Sequence, residues 1–111
     1  MLFRSLYAAL STLIRSPVIE LNRAVAIGMA EGPAAGLAIV DGLIEASELK
    51  GYHLLPTVRA DFLERLGRHD EARAAFEEAA RLCANTRERH MLERRAKAAD
   101  IAARRMLRPA P

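Results

Sequence analysis

Three histidines, His53, His69 and His90, and one cysteine, Cys83, are the side chains most able to hold a metal or act as a nucleophile. They are far apart in the chain, no HxxxH or CxxC pair occurs, and none stands beside a glycine-rich loop, so their spacing argues against a metal site or a catalytic centre. Cys83 falls four residues after Ala79 on an apolar stripe, which predicts a small hydrophobe packed in a core. His69 falls in a turn and is expected to be solvated. The adjacent acids Asp70-Glu71 and Glu77-Glu78 do not form acid–base pairs by composition alone, because catalytic carboxylates must converge across a cleft. Asp70 and Glu71 stand at a helix start, where negative charge complements the helix dipole, with Asp70 placed to cap it. Glu77 is four residues from both Arg73 and Arg81 and can pair on the helix surface. With no constellation of acid, base and nucleophile, the expectation is no enzyme, no catalytic residue, no metal and no cofactor.

Recognition chemistry is better represented. Asn22 offers donors and an acceptor, and Arg23 and Arg59 offer rigid guanidinium forks suited to carboxylates. Tyr52, His53 and Asp61 complete the candidate partner-binding set. The competing reading is that Arg23 and Arg59 bond loop carbonyls, or Glu20 and Asp61, and hold helices together. A second candidate is the segment from Thr86 to Arg108, net +5 against net −2 for residues 1–85, with Arg94, Arg95, Arg104 and Arg105 as its basic residues. Acids at Glu88, Glu93 and Asp100 interrupt it, and no aromatic residues interleave for base stacking. Its apolar residues Met91, Leu92, Ala99, Ala102, Ala103 and Met106 fit a helix that caps the end of a helical array.

The elements that position these residues follow from composition and punctuation. Of 111 residues, 22 are Ala and 15 are Arg, against four Val, three Thr and no Trp, which favours helices and excludes an all-β fold. One cysteine excludes a disulfide scaffold. The longest uncharged stretch, Ser5 to Ile14, is ten residues against the roughly 17 to 25 that cross a bilayer, so no membrane span is expected. The pI of about 9.6 invites a nucleic-acid reading. Helical periodicity predicts six segments: Phe3 to Ile14, Val18 to Ala30, Ala34 to Ala46, Tyr52 to Leu66, Glu71 to Ala84 and Arg87 to Leu107. Ser16-Pro17, Gly32-Pro33 and Gly67 separate several of them. Pro56 stands inside the fourth segment, where proline kinks a helix or marks its first turn, so that helix is expected to start nearer Leu55.

A shift of 36 residues aligns Arg23-Ala24 with Arg59-Ala60, Ile19 with Leu55, Ile27 with Leu63, Gly36 with Ala72, Val40 with Phe76 and Leu43 with Ala79. The second copy, Leu63, Gly67, Glu71-Ala72, Phe76 and Ala79, follows the tetratricopeptide pattern. The predicted fold is therefore all-α, with stacked antiparallel helical hairpins, tetratricopeptide-like, of about six helices in one domain, 1–111. The first helix of each pair lines the concave side of such an array, which is where Asn22, Arg23 and Arg59 fall.

The run from Ser16-Pro17-Val18 through Leu21-Asn22-Arg23-Ala24-Val25-Ala26, then Gly32-Pro33, Tyr52-His53-Leu54-Leu55, Arg59-Ala60-Asp61, Leu66-Gly67-Arg68 and Asn85-Thr86-Arg87-Glu88-Arg89, resembles the C-terminal tetratricopeptide-like extension of a subgroup of extracytoplasmic-function (ECF) RNA polymerase sigma factors. Pro56 departs from that pattern. The resemblance implies a C-terminal fragment of a longer sigma factor, a regulatory protein-interaction domain acting in transcription initiation in a bacterial cytoplasm. Its implied partners are other regions of the parent sigma factor, RNA polymerase or a regulatory protein, with promoter DNA read by upstream regions of the parent. The apolar opening residues of the fragment offer a surface for a homodimer. The alternatives are a stand-alone tetratricopeptide-repeat adaptor and direct nucleic-acid contact through the basic C-terminal helix.

Overall fold

A computed structural model of the chain describes residues 16–107. They form five helices: α1 (Pro17–Glu31), α2 (Pro33–Glu45), α3 (Leu54–Arg65), α4 (His69–Leu82) and α5 (Thr86–Leu107). The helix expected over Phe3 to Ile14 lies outside the described residues. Among the described residues there is no strand, and no helix is long and apolar enough to cross a membrane.

Local chemistry sets most of the boundaries. Ser16 is extended and its Oγ accepts the Val18 N–H at 3.2 Å, while Pro17 occupies the first turn, where a missing N–H costs nothing. Gly32, at φ +107°, ends α1 and launches α2 at Pro33. Gly67, at φ +76°, turns α3 into α4. Pro56 lies in the first turn of α3, so the helix starts at Leu54 and is not kinked by it; Thr57 closes that turn by donating both its N–H and its Oγ–H to the His53 carbonyl, at 3.2 and 2.7 Å.

Two boundaries differ from expectation. Asp70 does not cap α4: the helix begins at His69, Arg68 takes the cap position without a side-chain cap bond, and Asp70 and Glu71 both lie in the first turn. The Arg68 guanidinium reaches forward to pair with Glu71 in that turn. Asn85 does more than separate two helices, because its Oδ1 accepts the Glu88 N–H at 2.9 Å and so caps α5.

The helices stack as antiparallel hairpins, α1 with α2 and α3 with α4, with α5 laid on α4 and α1 also touching α3. The 36-residue repeat is visible in the core: Ala24 and Ala60, Gly36 and Ala72, Val40 and Phe76, and Leu43 and Ala79 are all buried. Its outermost pair breaks the symmetry, since Leu55 is buried while Ile19 is 58% exposed. The two repeats meet through Phe62 of α3, whose ring lies on Gly28 of α1 and Gly36 of α2. The seam of α5 is Leu92, Ala96, Ala99 and Ala103, one face at helical spacing. Met91 and Met106, expected on that seam, are exposed.

Candidate protein-interaction site

On the side where α1, α3 and α5 come together, Val25, Met29, Thr57, Val58, Asp61 and Arg95 line an open groove of about 240 Å³, with Phe62 at its floor and Arg65 at its edge. Val18, Val25 and Met29 form an exposed stripe along α1, Met29 at 78% exposure, and Asn22 lies on the same face. The groove therefore pairs uncovered apolar side chains with a charged wall.

That wall is organised by one arginine. Arg95 of α5 reaches Glu64 at 3.0 Å and Asp61 at 3.4 Å, both on α3, and its guanidinium carbon lies 4.4 Å from the ring centroid of Phe76 on α4. Three helices converge on a single planar cation, which suits guanidinium better than ammonium. Asp61 also pairs with Arg65 at 3.2 Å. With these contacts Asp61 and Arg95 stand in the groove, and Arg95 is a clamp rather than part of a basic surface.

The other expected residues are dispersed. Arg23 is exposed and pairs within its own helix, 3.4 Å from Glu20. Arg59 donates from Nε to Asp41 Oδ1 at 2.9 Å, tying α3 to α2, so its partner is neither Glu20 nor Asp61. Tyr52 and His53 are half-buried at the start of α3, with their rings edge to face at 6.0 Å. Of the basic quartet, Arg104 pairs with Asp100 at 3.2 Å, whereas Arg94 and Arg105 are exposed. Arg94 borders a shallow channel of about 950 Å³ between α4 and α5, whose walls mix Arg73, Arg89 and Lys97 with Glu77 and Glu93. Such alternation of sign does not build a continuous polyanion track.

Val25, Met29 and Val58 were not among the residues that the sequence brought forward. Val25 and Met29 are large apolar residues on an amphipathic helix, which ordinarily marks a core face, yet α1 buries Leu21, Ala24 and Gly28. His69 is half-buried with its Nδ1 enclosed and without a hydrogen-bond partner among the described residues, so it is not solvated as expected. Cys83 is buried, as the stripe predicts. Glu77 pairs with Arg73 at 3.1 Å, while Arg81 takes Glu78 at 2.6 Å. Hydrogen bonds from Arg81 and Arg68 hold the Glu78 and Glu71 carboxyls below the ordinary carboxylate range.

One cluster unites residues that the spacing kept apart. His53 Nε2 lies 3.1 Å from Glu88 Oε1, and the Cys83 thiol joins them, with one donor atom of each residue within 4.8 Å of the other two.

No family model matches the chain, and no solved structure does. The chain is similar to an uncharacterized protein of Rhizobium meliloti (strain 1021), 48% identical over 83 residues that make up 75% of this chain and 19% of that protein. It thus spans about a fifth of the length of the bacterial relative it matches.

Proposed function

We propose that the chain is a protein-interaction module of an ECF-type sigma factor, a helical array that docks on another region of the same factor and so controls promoter engagement. The observation that carries this reading is the groove between α1, α3 and α5, where Val25 and Met29 are uncovered beside the Asp61, Arg65 and Arg95 charges. An apolar stripe with a polar rim suits an amphipathic helix or an extended segment of a partner protein. The sequence resemblance puts other regions of the parent factor among the implied partners, and a relative about four times as long as this chain is in keeping with a module joined to further regions. The role is binding and not catalysis, in the bacterial cytoplasm where initiation takes place.

Nucleic-acid contact through α5 has less to support it, because Arg95 and Arg104 are already engaged with carboxylates. A stand-alone adaptor is separated from the sigma-factor reading by the coding sequence upstream of Met1. The decisive experiment compares promoter-directed transcription by the parent factor with and without this segment, together with its binding to the upstream regions. Val25→Glu with Met29→Glu, both at exposed positions, removes the apolar contact without touching the core. Each buried side chain of this size is worth about 1.5–3 kcal/mol, so binding should weaken tenfold or more. Unchanged transcription and unchanged binding would overturn the proposal.

A further inference from the structure

The ends of three helices meet at His53, Cys83 and Glu88. His53 stands at the N-terminal cap position of α3, Cys83 at the C-terminal cap position of α4, and Glu88 in the first turn of α5. Cys83 is buried, and His53 and Glu88 are half-buried, so the cluster is shielded from one side and open on the other. Hairpin stacking brings these ends together, since α4 returns to the end of the array where α3 began and α5 starts there.

We propose that His53, Cys83 and Glu88 form a binding site for a divalent cation of the zinc class. Imidazole nitrogen, thiolate sulfur and carboxylate oxygen are together a donor set of borderline softness; Mg²⁺ and Ca²⁺ take oxygen alone, and Cu⁺ prefers sulfur. Zinc bonds of about 2.0–2.3 Å at tetrahedral angles place donor atoms about 3.3–3.8 Å apart. His53 Nε2 and Glu88 Oε1, at 3.1 Å, are already at that spacing to within a few tenths of an ångström. Donor atoms at most 4.8 Å apart close to it by moving about 1 Å, within reach of small side-chain rotations.

The backbone between two of the donors is fixed before any ion arrives. Asn85 Oδ1 holds the Glu88 N–H, and its carbonyl holds the Arg89 N–H, each at 2.9 Å. The same carbonyl is the acceptor for the Cys83 Sγ–H at a long 3.5 Å. A hydrogen bond between His53 and Glu88 accounts for two of the three groups and leaves that thiol weakly satisfied at their edge. On binding, the thiol proton passes to solvent, the Nε2 proton that His53 donates to Glu88 moves through solvent to Nδ1 so that Nε2 is free to coordinate, and a sulfur–metal bond replaces the weak contact. Thiolate and carboxylate together neutralise the dication, His53 coordinates as neutral imidazole, and the fourth position goes to water. The ion then ties α3, α4 and α5 together at one point.

The test uses the metal-free 111-residue chain, titrated with Zn²⁺ by calorimetry and with Co²⁺ by absorption. One equivalent should bind with a dissociation constant near or below about 1 μM, and Co²⁺ should give a thiolate charge-transfer band. Free Zn²⁺ at a hundred times the dissociation constant should raise the folded-to-unfolded ratio about 100-fold. Cys83→Ser, which keeps the shape, should abolish the band, and His53→Gln and Glu88→Gln should each weaken binding at least tenfold. His90→Gln, on the exposed face of α5, should leave binding unchanged. Melting of each metal-free variant is measured alongside, and the cobalt band of the unsubstituted chain tests the thiolate without any variant. A band that fails to appear, or stoichiometric binding that survives Cys83→Ser and His53→Gln, overturns the site and leaves a hydrogen bond beside a packed thiol.

Discussion

The contact between Phe62 and two glycines sets two known effects against each other, and their sizes predict a reversal of sign. Alanine is favoured over glycine in a helix interior by about 0.8–1.0 kcal/mol, so Gly28→Ala and Gly36→Ala would each stabilise if space allowed. It does not. A methyl at Gly28 would stand 2.6 Å from Phe62 Cζ, with Cε1 closer still. One at Gly36 would stand 2.5 Å from Cζ and 2.8 Å from the backbone oxygen of Ala24. Phe62 is 3% exposed and cannot swing into solvent. Overpacking of this kind costs about 1–3 kcal/mol, so Gly28→Ala should lose the whole helix gain and cost up to about 2 kcal/mol net. Gly36→Ala should cost more, because a carbonyl of α1 must also move. Phe62→Leu removes Cε1 and Cζ, and in that background Gly28→Ala should become stabilising by up to about 1 kcal/mol. Gly36→Ala should stay destabilising there, since Ala24 O is untouched. Urea melts of the single and double variants give the coupling energies, and near 100 residues each 1 kcal/mol moves Tm by about 4–8 °C. Gly28→Ala that stabilises with Phe62 in place, or Phe62→Leu that rescues both glycines equally, refutes the reasoning.

Three further outcomes are expected. Arg95→Ala should lower stability by about 1–2 kcal/mol in urea melts, discounted because the side chain is 35% exposed, and Arg95→Lys should recover less than half of it, lacking the planar fork that serves Phe76, Asp61 and Glu64 together. Asn85→Ala should cost about 1 kcal/mol and speed amide exchange at Glu88, whereas Asp70→Ala should cost α4 only the smaller helix-dipole contribution of about 0.3–1 kcal/mol, because Asp70 caps nothing. The lowered folded-state pKa of Glu71 and Glu78 gives stability that is present above the unfolded carboxyl value near 4.5 and is lost as pH falls through the folded one. Tm of the Glu71→Gln, Glu78→Gln chain should therefore fall less than that of the parent chain on acidification below that value; parallel profiles would contradict it.

Signals that act within a few residues were legible in the sequence. Ser16-Pro17, Gly32-Pro33 and Gly67 place helix ends to within a residue or two, because a cap bond, a fixed φ and a left-handed turn are decided by the residues themselves. The repeat spacing likewise paired Ala24 with Ala60, Gly36 with Ala72 and Leu43 with Ala79, and all six are buried. Features that depend on which surfaces meet were not legible. Nothing local says that Gly28 and Gly36 share one phenylalanine, or that α1 turns Ala24 and Gly28 inward and leaves Val25 and Met29 outside. Rules that put large apolar residues in a core give the opposite face. His53, Cys83 and Glu88 are 30 and 5 residues apart, a spacing that no motif contains, because stacked helix ends supply the proximity.

The basic C-terminal segment changes meaning once its contacts are placed. Its packed seam is one leucine and three alanines, and alanine methyls bury little apolar surface. Polar clamps add to this seam: Arg95 on Asp61 and Glu64, Glu88 on His53, and Asp100 near Arg73 at 3.8 Å. The first of these clamps also forms the wall of the groove where Val25 and Met29 are uncovered. Docking of α5 and the shape of the groove are therefore linked: a ligand that fits the groove with Arg95 in place must stabilise α5, and an ion that fastens Glu88 must favour the docked helix and with it the groove wall. Amide exchange along α5 reads that linkage directly. Slower exchange at Leu92 and Ala96 on filling either site is the required result, and exchange that responds to neither would separate the clamp from the groove.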